Sequence, residues 1–406
     1  MRMKKNDVNA EIDIFALIRY AFLMIDTQKV RHYFMRKRMV LIGGGIVGSS
    51  TAFHLAKQGY DVVLVDDKHP NRATNAAAGI VCPWLSKRRN QAWYQLVKNS
   101  AAYYPSFVET LASFGGEDTG FKRTGALWIH EKKENVLDTI ERAKIKRQDA
   151  PEIGELTYLE GEDIQQRFPV LDTRYYGVFV EGAGRVDGQS LNHSMQQAAQ
   201  RLGATIVHQK ASIEEQMDGQ LAVFTSEGEL EYDELIITNG AWVKPLFERT
   251  SIAVDIRDQK AQIVHLQIDQ DTSQWPVVIP PGNQYLLAFP NGKIVAGSTY
   301  ENHTNFNPSV TAEAVHTLLH ETFSVAPGLR TASYVETKVG FRPVGPHHMP
   351  LFGRMPNYEN VWIANGLGST GLTAGPYIGY ALAECLAGRE VPLSDTLFNV
   401  QSIIKP

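Results

Sequence analysis

The sequence predicts an α/β fold built on a Rossmann-like parallel sheet, and three observations predict it. A short apolar run at residues 39–42 leads into glycines with the spacing G-x-G-x-x-G, namely Gly43, Gly45 and Gly48. Apolar residues at helical spacing then continue to Gly59, a typical helix stop. A second apolar run, residues 62–65, ends at Asp66. Strand, glycine turn, helix, strand and acid in this order are typical of a dinucleotide-binding unit.

Each part of this unit has a physical task. Gly43 allows the tight turn, Gly45 lets the backbone approach a pyrophosphate, and Gly48 lets the helix pack closely on the strand. The free N–H groups at the helix start face the phosphates, so we place Ile46 and Val47 at the nucleotide as well. A glycine-rich turn without any ligand is the alternative interpretation.

An acid after the second strand completes the predicted nucleotide site. Asp66 can accept hydrogen bonds from a ribose diol, and Asp67 is an adjacent candidate. We prefer Asp66 because it directly follows the strand. A later apolar run within residues 232–242 opens into a turn at Gly240, which indicates that distant segments complete the sheet. One fingerprint of this kind fits both FAD and NAD, so the pattern alone leaves the dinucleotide open.

Composition excludes several classes of protein. A chain of 406 residues is long enough for two domains, and its net charge of −4 gives no reason to expect nucleic acid as a partner. The two cysteines, Cys82 and Cys385, are far apart, which argues against a disulfide framework or a thiolate zinc site and suits the cytoplasm. Adjacent histidines such as His347 and His348 seldom bind the same ion, so no metal site is predicted.

The first 34 residues differ from the rest of the chain. They contain an apolar segment that carries Asp13 and Arg19 and is short for a membrane span, so no integral span is predicted. We interpret residues 1–38 as a loosely attached extension before the first domain. The alternative is an amphipathic helix that holds an otherwise cytoplasmic protein at a membrane surface.

Further motifs, taken in order, make the chain resemble the FAD-dependent D-amino acid oxidase superfamily, which includes glycine oxidase, sarcosine oxidase and D-amino acid dehydrogenase. The resemblance covers about residues 39–388. After the glycine fingerprint it is carried by TNAAAGI (74–80), KRTGALWI (122–129), GRVDGQSL (184–191), LIITNGAW (235–242), GFRPVGPHHMPLFG (340–353) and NGLGSTGLTAGPYIG (365–379). Asn239 and Gly188 depart from the residues that are common in the family at those positions.

The resemblance implies a fold in which interleaved segments form two domains. Residues 39–88, 183–250 and 336–406 would form the Rossmann-like FAD-binding domain. Residues 89–182 and 251–335 would form a substrate domain with an antiparallel sheet.

The resemblance also implies how FAD is held. Ala77, Ala78 and Gly79 would pass the flavin and its phosphates. A later loop would bring backbone N–H groups to the flavin pyrimidine edge through Gly366, Gly368, Ser369, Thr370, Gly371, Leu372 and Thr373. Some relatives tether FAD to a cysteine just after the matching arginine. Because this chain has no cysteine there, we expect non-covalent FAD, with Cys82 as a buried structural thiol.

Arg342 is the central candidate for substrate binding. In relatives the matching arginine binds the substrate carboxylate, and a planar guanidinium suits that task because it donates two parallel hydrogen bonds. An ion pair with a protein acid such as Glu336 is the alternative. Tyr285 matches a tyrosine that also contacts the carboxylate, with plain sheet packing as its alternative. Trp128 and Tyr300 are candidates for the pocket wall, but we expect both to pack in the core.

The implied activity is oxidation of the C–N bond of a small amino acid, namely a D-amino acid, glycine or an N-methyl amino acid. Hydride would pass to flavin N5, and the imine would hydrolyse. Oxygen or a quinone would accept the electrons. The alternatives are an FAD dehydrogenase of a hydroxy acid or secondary amine that uses a quinone, and a non-catalytic flavin-binding scaffold.

Overall fold

Helices and strands alternate along residues 36–391 and 399–405, the part of the chain that the computed structural model describes. The extension proposed for residues 1–38, with its membrane-surface alternative, lies almost wholly outside them and stays a prediction. Within the described residues the helices are α1 (Ile46–Lys57), α2 (Gln91–Ser113), α3 (Lys133–Arg147), α4 (Glu162–Arg167), α5 (Gly188–Arg201), α6 (Val243–Leu246), α7 (Ala312–Val325) and α8 (Gly371–Leu386). None of them is both long and apolar enough to cross a bilayer.

The strands of the same residues are β1 (Arg38–Ile42), β2 (Asp61–Val65), β3 (Ile80–Val81), β4 (Ala126–His130), β5 (Leu156–Glu160), β6 (Tyr176–Val180), β7 (Gly184–Arg185), β8 (Thr205–Val207), β9 (Ser212–Glu215), β10 (Leu221–Thr225), β11 (Gly228–Leu230), β12 (Glu234–Ile237), β13 (Ala253–Val254), β14 (Arg257–Gln267), β15 (Val277–Ile279), β16 (Tyr285–Phe289), β17 (Lys293–Gly297), β18 (Glu301–Asn302), β19 (Ser333–Val344), β20 (Leu351–Arg354), β21 (Val361–Asn365) and β22 (Ile404–Lys405).

The first sheet has the strand order β20-β21-β12-β1-β2-β8, with parallel pairing from β21 to β8 and an antiparallel edge strand β20. Both faces are buried, as expected of a parallel sheet whose strands are continuous apolar runs. Met39 and Leu41 face a core that includes residues of α1, α2, α5 and α8. Val40 and Ile42 face a second core with β9 and β10. The predicted Rossmann-like βαβ unit is confirmed.

The second sheet runs β18-β14-β17-β16-β15-β4-β6-β5, and β19 pairs with β14 on the other side. Its pairings are antiparallel except for β15 with β4. One face packs on a core with residues of α7. This is the expected antiparallel sheet, so the predicted fold class is confirmed.

Strand β19 crosses the domain boundary that the sequence suggests between residues 335 and 336. It pairs with β14 along its length, from Ser333 opposite Gln267 to Val344 opposite Arg257. Arg342 therefore belongs to the second sheet, although it leads directly into the strands of the first. Helix α2, which the sequence places in the substrate domain, contacts the first sheet's helix α1, because its Tyr103 hydroxyl is hydrogen-bonded to His54 at 2.9 Å. The proposed domain bounds stay a prediction.

Candidate active site

A large cavity, about 710 Å³ in volume, opens at the carboxyl ends of the parallel strands. Its wall includes Gly43 after β1, Asp66 after β2, Asn239 after β12 and Asn365 at the end of β21. Residues of β16 and β19 from the second sheet close another part of the wall. Open α/β sheets bind their ligands at this edge, so the topology and the cavity point to the same place.

Two glycines of the fingerprint are required by close contacts. Gly43 has φ of +107°, and a Cβ atom there would lie 2.6 Å from the Asn239 backbone. A Cβ atom at Gly48 would lie 1.9 Å from the Gly43 carbonyl oxygen. Gly43 lines the cavity, whereas Gly48 is not among the described residues of its wall. Gly48 therefore serves the helix–turn packing that the motif implies.

The start of α1 faces the cavity through Gly45, Ile46 and Val47. Gly45 is the residue before the helix and offers no capping side chain; instead the Ile46 N–H donates to Thr74 Oγ1 at 3.2 Å. The N-terminal end of a helix carries partial positive charge, so this end of the cavity is suited to the phosphates of a dinucleotide.

Asp66 lies on the cavity wall, but it is already engaged by a cation. Its Oδ2 accepts a hydrogen bond from Arg72 Nη1 at 2.6 Å, and the two side chains are 7% and 19% exposed. Arg72 also donates to the Gly44 carbonyl at 3.2 Å and to Asn75 Oδ1 at 3.0 Å. Asp67 also lines the cavity and is exposed.

Most of the other proposed cofactor residues line the same cavity, namely Ala77, Ala78, Gly79, Gly240, Gly368, Ser369, Gly371, Leu372 and Thr373. Gly366 and Thr370 are not among the described wall residues. A Cβ atom at Gly366 would lie 2.9 Å from the Met349 carbonyl oxygen, and Thr370 Oγ1 donates to the Leu367 carbonyl at 2.6 Å. Both residues shape the loop before α8 from behind the cavity surface.

Arg342 reaches the cavity from β19. Its Nη2 donates to Ser298 Oγ at 2.7 Å, and its guanidinium carbon lies 4.5 Å from the centroid of the Tyr300 ring. Its Nη1 is buried and has no hydrogen-bond partner among the described residues. A buried guanidinium nitrogen without a partner is costly, so this group is prepared for an anionic ligand.

Glu336, the alternative partner for Arg342, is engaged elsewhere. Its Oε1 lies 3.2 Å from His265 Nδ1 and 3.6 Å from Lys338 Nζ. Both Glu336 and Arg342 are on β19, and six residues of strand separate their Cα atoms by about 20 Å. The alternative of a Glu336–Arg342 ion pair is therefore wrong.

Tyr285, at the start of β16, lines the cavity beside Arg342. Burial raises the pKa of its phenol, against smaller opposing effects of the Arg342 charge and a hydrogen bond with Ser298. The phenol is therefore protonated at neutral pH and can donate a hydrogen bond to a ligand.

Sequence reasoning missed several residues of this site. Ser298, which is 3% exposed, contacts Arg342 just after β17, and it was given no role from the sequence. Arg72 lies before the small-residue motif and was not singled out either. Tyr300 is 45% exposed and lines the cavity, so its expected place in the core is wrong. Trp128 does pack in the core, as expected.

The cysteine and histidine candidates lie away from the described cavity wall. Cys82 packs against the core around the first sheet, and burial raises its pKa to about 12, which makes it an inert thiol. The carbonyl groups of His347 and His348 accept hydrogen bonds from Arg88. Over the described residues, no group of three or more potential ligands could hold a metal ion.

Comparison with known proteins agrees with this fold and site. The chain belongs to the FAD dependent oxidoreductase family called DAO, whose model matches residues 38–385. It is 45% identical over 359 residues to the uncharacterized oxidoreductase YurR of Bacillus subtilis, covering 88% of this chain and 96% of that protein. It is 27% identical to the glycine oxidase of Pseudomonas putida, covering 89% and 97% of the two chains.

A solved structure gives the same result. Iminodiacetate oxidase from Chelativorans sp. BNC1 superimposes with a TM-score of 0.86 at 36% identity, over 89% of this chain and 98% of that one. The expected superfamily is thus confirmed, and the protein is an enzyme, an FAD-dependent oxidoreductase.

FAD is the cofactor of this family, and non-covalent binding, as expected for this chain, is typical of it. The cavity fits it: the fingerprint turn leaves no room for a side chain at Gly43, and the starts of α1 and α8 both meet the cavity. Gly45, Ile46 and Val47 would meet the phosphates, whereas Ser369, Gly371 and Leu372 would meet the flavin. The Asp66–Arg72 pair would lie beside the ribose.

Proposed function

We propose that this enzyme oxidises the Cα–N bond of a small amino acid, with glycine, D-amino acids and N-methyl amino acids as the candidate substrates. One observation carries the proposal. Arg342 presents, on the wall of the cofactor cavity, a buried guanidinium nitrogen that has no hydrogen-bond partner among the described residues. A carboxylate is the ligand that a planar, permanently charged guanidinium binds best.

Tyr285 supports the same substrate class. Its phenol lines the cavity close enough to Arg342 for the guanidinium charge to influence its pKa. Arg342 Nη1 and the Tyr285 hydroxyl can therefore donate to the two oxygens of one carboxylate. Such a clamp orients the substrate and converts binding into positioning of Cα for reaction.

FAD, when bound in this cavity, would supply the electron chemistry as the acceptor of a hydride from Cα. The residues around Arg342 have a simpler task. This part of the cavity is lined by side chains without a carboxylate or imidazole, namely Tyr285, Tyr300, Phe341 and Pro343. They exclude water and hold the substrate, which must arrive with a neutral amine. The product imine then hydrolyses in water without help from the protein.

The named relatives support an amine substrate. The relatives described above are called glycine oxidase and iminodiacetate oxidase, and the second is 36% identical to this chain. Iminodiacetate carries a secondary amine between two carboxylates, so this likeness favours a second candidate within the same chemistry. In that case the substrate is an N-substituted amino acid, with oxygen or a quinone as the electron acceptor.

Anaerobic titration of the purified yellow holoenzyme tests the proposal. Glycine, D-alanine, sarcosine, iminodiacetate and glycolate are added in turn while flavin absorbance is followed. We expect bleaching with at least one amino acid and none with glycolate. Bleaching by glycolate alone would contradict the proposal and favour a hydroxy acid dehydrogenase. Peroxide release measured beside dye reduction in air then identifies the electron acceptor.

A further inference from the structure

We propose that Ser298 is a positioning residue that holds the Arg342 guanidinium in place for the substrate carboxylate. This inference rests on the proposed function, because it concerns how the same site recognises its substrate. Ser298 lies between β17 and β18, is 3% exposed, and belongs to no motif of the nucleotide site.

The contact with Arg342 fixes one side of the guanidinium. An arginine has no acceptor atoms, so Ser298 Oγ must accept the hydrogen bond from Nη2, which is 2.7 Å long. The Tyr300 ring covers the guanidinium at 4.5 Å from its carbon atom. With one nitrogen bonded and one face covered, Nη1 is the group left for a ligand, and it has no partner among the described residues.

Tyr285 lines the same cavity and can supply the second donor. Its phenol keeps its proton at neutral pH, because burial raises its pKa. Arg342 Nη1 and the Tyr285 hydroxyl together offer two donors to a carboxylate.

Gly297, the residue before Ser298, makes this arrangement possible. Tyr285 pairs with Gly297 across β16 and β17, and a Cβ atom at Gly297 would lie 2.8 Å from the Tyr285 hydroxyl oxygen. The phenol therefore lies directly on the backbone that leads into Ser298. The lack of a side chain at Gly297 is what makes room for the Tyr285 hydroxyl next to Ser298 in the chain.

The experiment compares Ser298→Ala, Ser298→Thr and Arg342→Ala holoenzymes with the wild type. Acetate, a carboxylate without an amine, is titrated into the oxidised enzyme, and its Kd is read from the shift of the flavin spectrum. We expect Ser298→Ala to weaken acetate about tenfold and Ser298→Thr, which keeps the hydroxyl, to stay within about twofold of wild type. In turnover with an amino acid that bleaches the flavin, Ser298→Ala should raise KM more than it lowers kcat.

Two controls separate positioning from packing. Ser194→Ala removes a serine hydroxyl from α5 that is equally buried and has no hydrogen-bond partner in the described structure, and it should leave the acetate Kd unchanged. Ser298→Cys keeps the side-chain volume while weakening its hydrogen bonds, and it gives the same test if Ser298→Ala does not retain FAD.

The outcomes distinguish the role of Ser298 from the proposed function of the enzyme. If Arg342→Ala weakens acetate but Ser298→Ala and Ser298→Cys bind it like wild type, the role of Ser298 is refuted and the proposed function stands. If Arg342→Ala itself binds acetate like wild type, the carboxylate clamp is absent and both are refuted. Weaker binding in Ser298→Ala with recovery in Ser298→Thr supports the positioning role.

Discussion

Asp66 and Arg72 form an ion pair on the wall of the cofactor cavity, with 2.6 Å between Asp66 Oδ2 and Arg72 Nη1. The pair joins the end of β2 to the segment that leads into the small-residue motif. Arg72 also holds the Gly44 carbonyl in the fingerprint turn, so one side chain ties together three parts of the nucleotide site. This end of the cavity is therefore held together by the protein's own side chains.

We expect Arg72→Ala to lower the free energy of unfolding by about 3 kcal/mol, because it leaves the buried Asp66 carboxylate uncompensated. FAD should also dissociate more readily, since the turn at Gly44 loses its anchor. Urea unfolding and the fluorescence of released flavin measure the two effects. Lys144→Ala, which removes an exposed pair with Glu141, should cost less than about 0.5 kcal/mol. An equal loss of unfolding free energy in Arg72→Ala and Lys144→Ala would contradict this prediction.

Arg342→Ala should reduce kcat/KM for the amino acid substrate by a factor of about 100, equivalent to about 3 kcal/mol of lost binding. FAD should remain bound, because Arg342 contacts Ser298 and Tyr300 and not the fingerprint turn. Arg342→Lys should be intermediate, since an ammonium lacks the planar fork. Steady-state kinetics measure the change, and the exposed Arg330→Ala is the control. Wild-type kinetics in Arg342→Ala would contradict the proposal that the substrate is an amino acid.

Tyr285→Phe should weaken acetate about tenfold while leaving FAD in place, because it removes one donor to a charged ligand. Burial raises the pKa of Tyr285 above the ordinary value of a phenol. The hydroxyl therefore keeps its proton as pH rises, and the acetate Kd of the wild type should show no tyrosine titration between pH 7 and pH 9.5. A break in that range that disappears in Tyr285→Phe would show that the phenol ionises and would contradict the prediction.

Acid should destabilise the protein through His54. Burial lowers the pKa of this imidazole to about 3, with a smaller effect from Lys57, whereas an unfolded histidine has a pKa near 6.5. The unfolded state therefore binds a proton that the folded state does not, and stability is lost as pH falls below about 6.5. From pH 7 to pH 5 the loss from this group is about 2 kcal/mol.

Urea unfolding at the two pH values checks this prediction. His54→Gln keeps a polar group near the Tyr103 hydroxyl and should reduce the difference between pH 7 and pH 5. His193→Gln, at an exposed histidine on α5, should leave the difference as in the wild type. A difference that is the same in all three proteins would rule out His54 as its source.

The nucleotide unit was predictable because its signals are local. Residues 39–66 hold strand, turn, helix and acid in one continuous stretch, and the observed bounds of β1, α1 and β2 differ from the predicted ones by only one or two residues. The order of the strands in the sheet, in contrast, depends on segments that are far apart in sequence. On one side of β1 lie β12 and β21, which come about 200 and 320 residues later in the chain. The apolar run before Gly240 indicated β12, whereas the family resemblance was needed to include β21.

The substrate side was only partly predictable, for a physical reason. Arg342 could be identified from its apolar surroundings, but its contacts come from residues that pairing between strands brings close. Ser298 is 44 positions away in the chain, and no periodicity predicts that contact. Glu336 was the nearest acid in sequence, yet an extended strand moves it out of reach. The distance between Glu336 and Arg342 along β19 therefore rules out the ion pair that their closeness in sequence suggests.

The central position of β1 has a consequence for biogenesis. On a ribosome the glycine turn is made early, but β21 is not complete until Asn365 has left the exit tunnel. Until then the emerging polypeptide lacks the part of the cavity wall that Ala364 and Asn365 form. The complete cavity can therefore form only after residue 365 has been synthesised, long after the glycine turn.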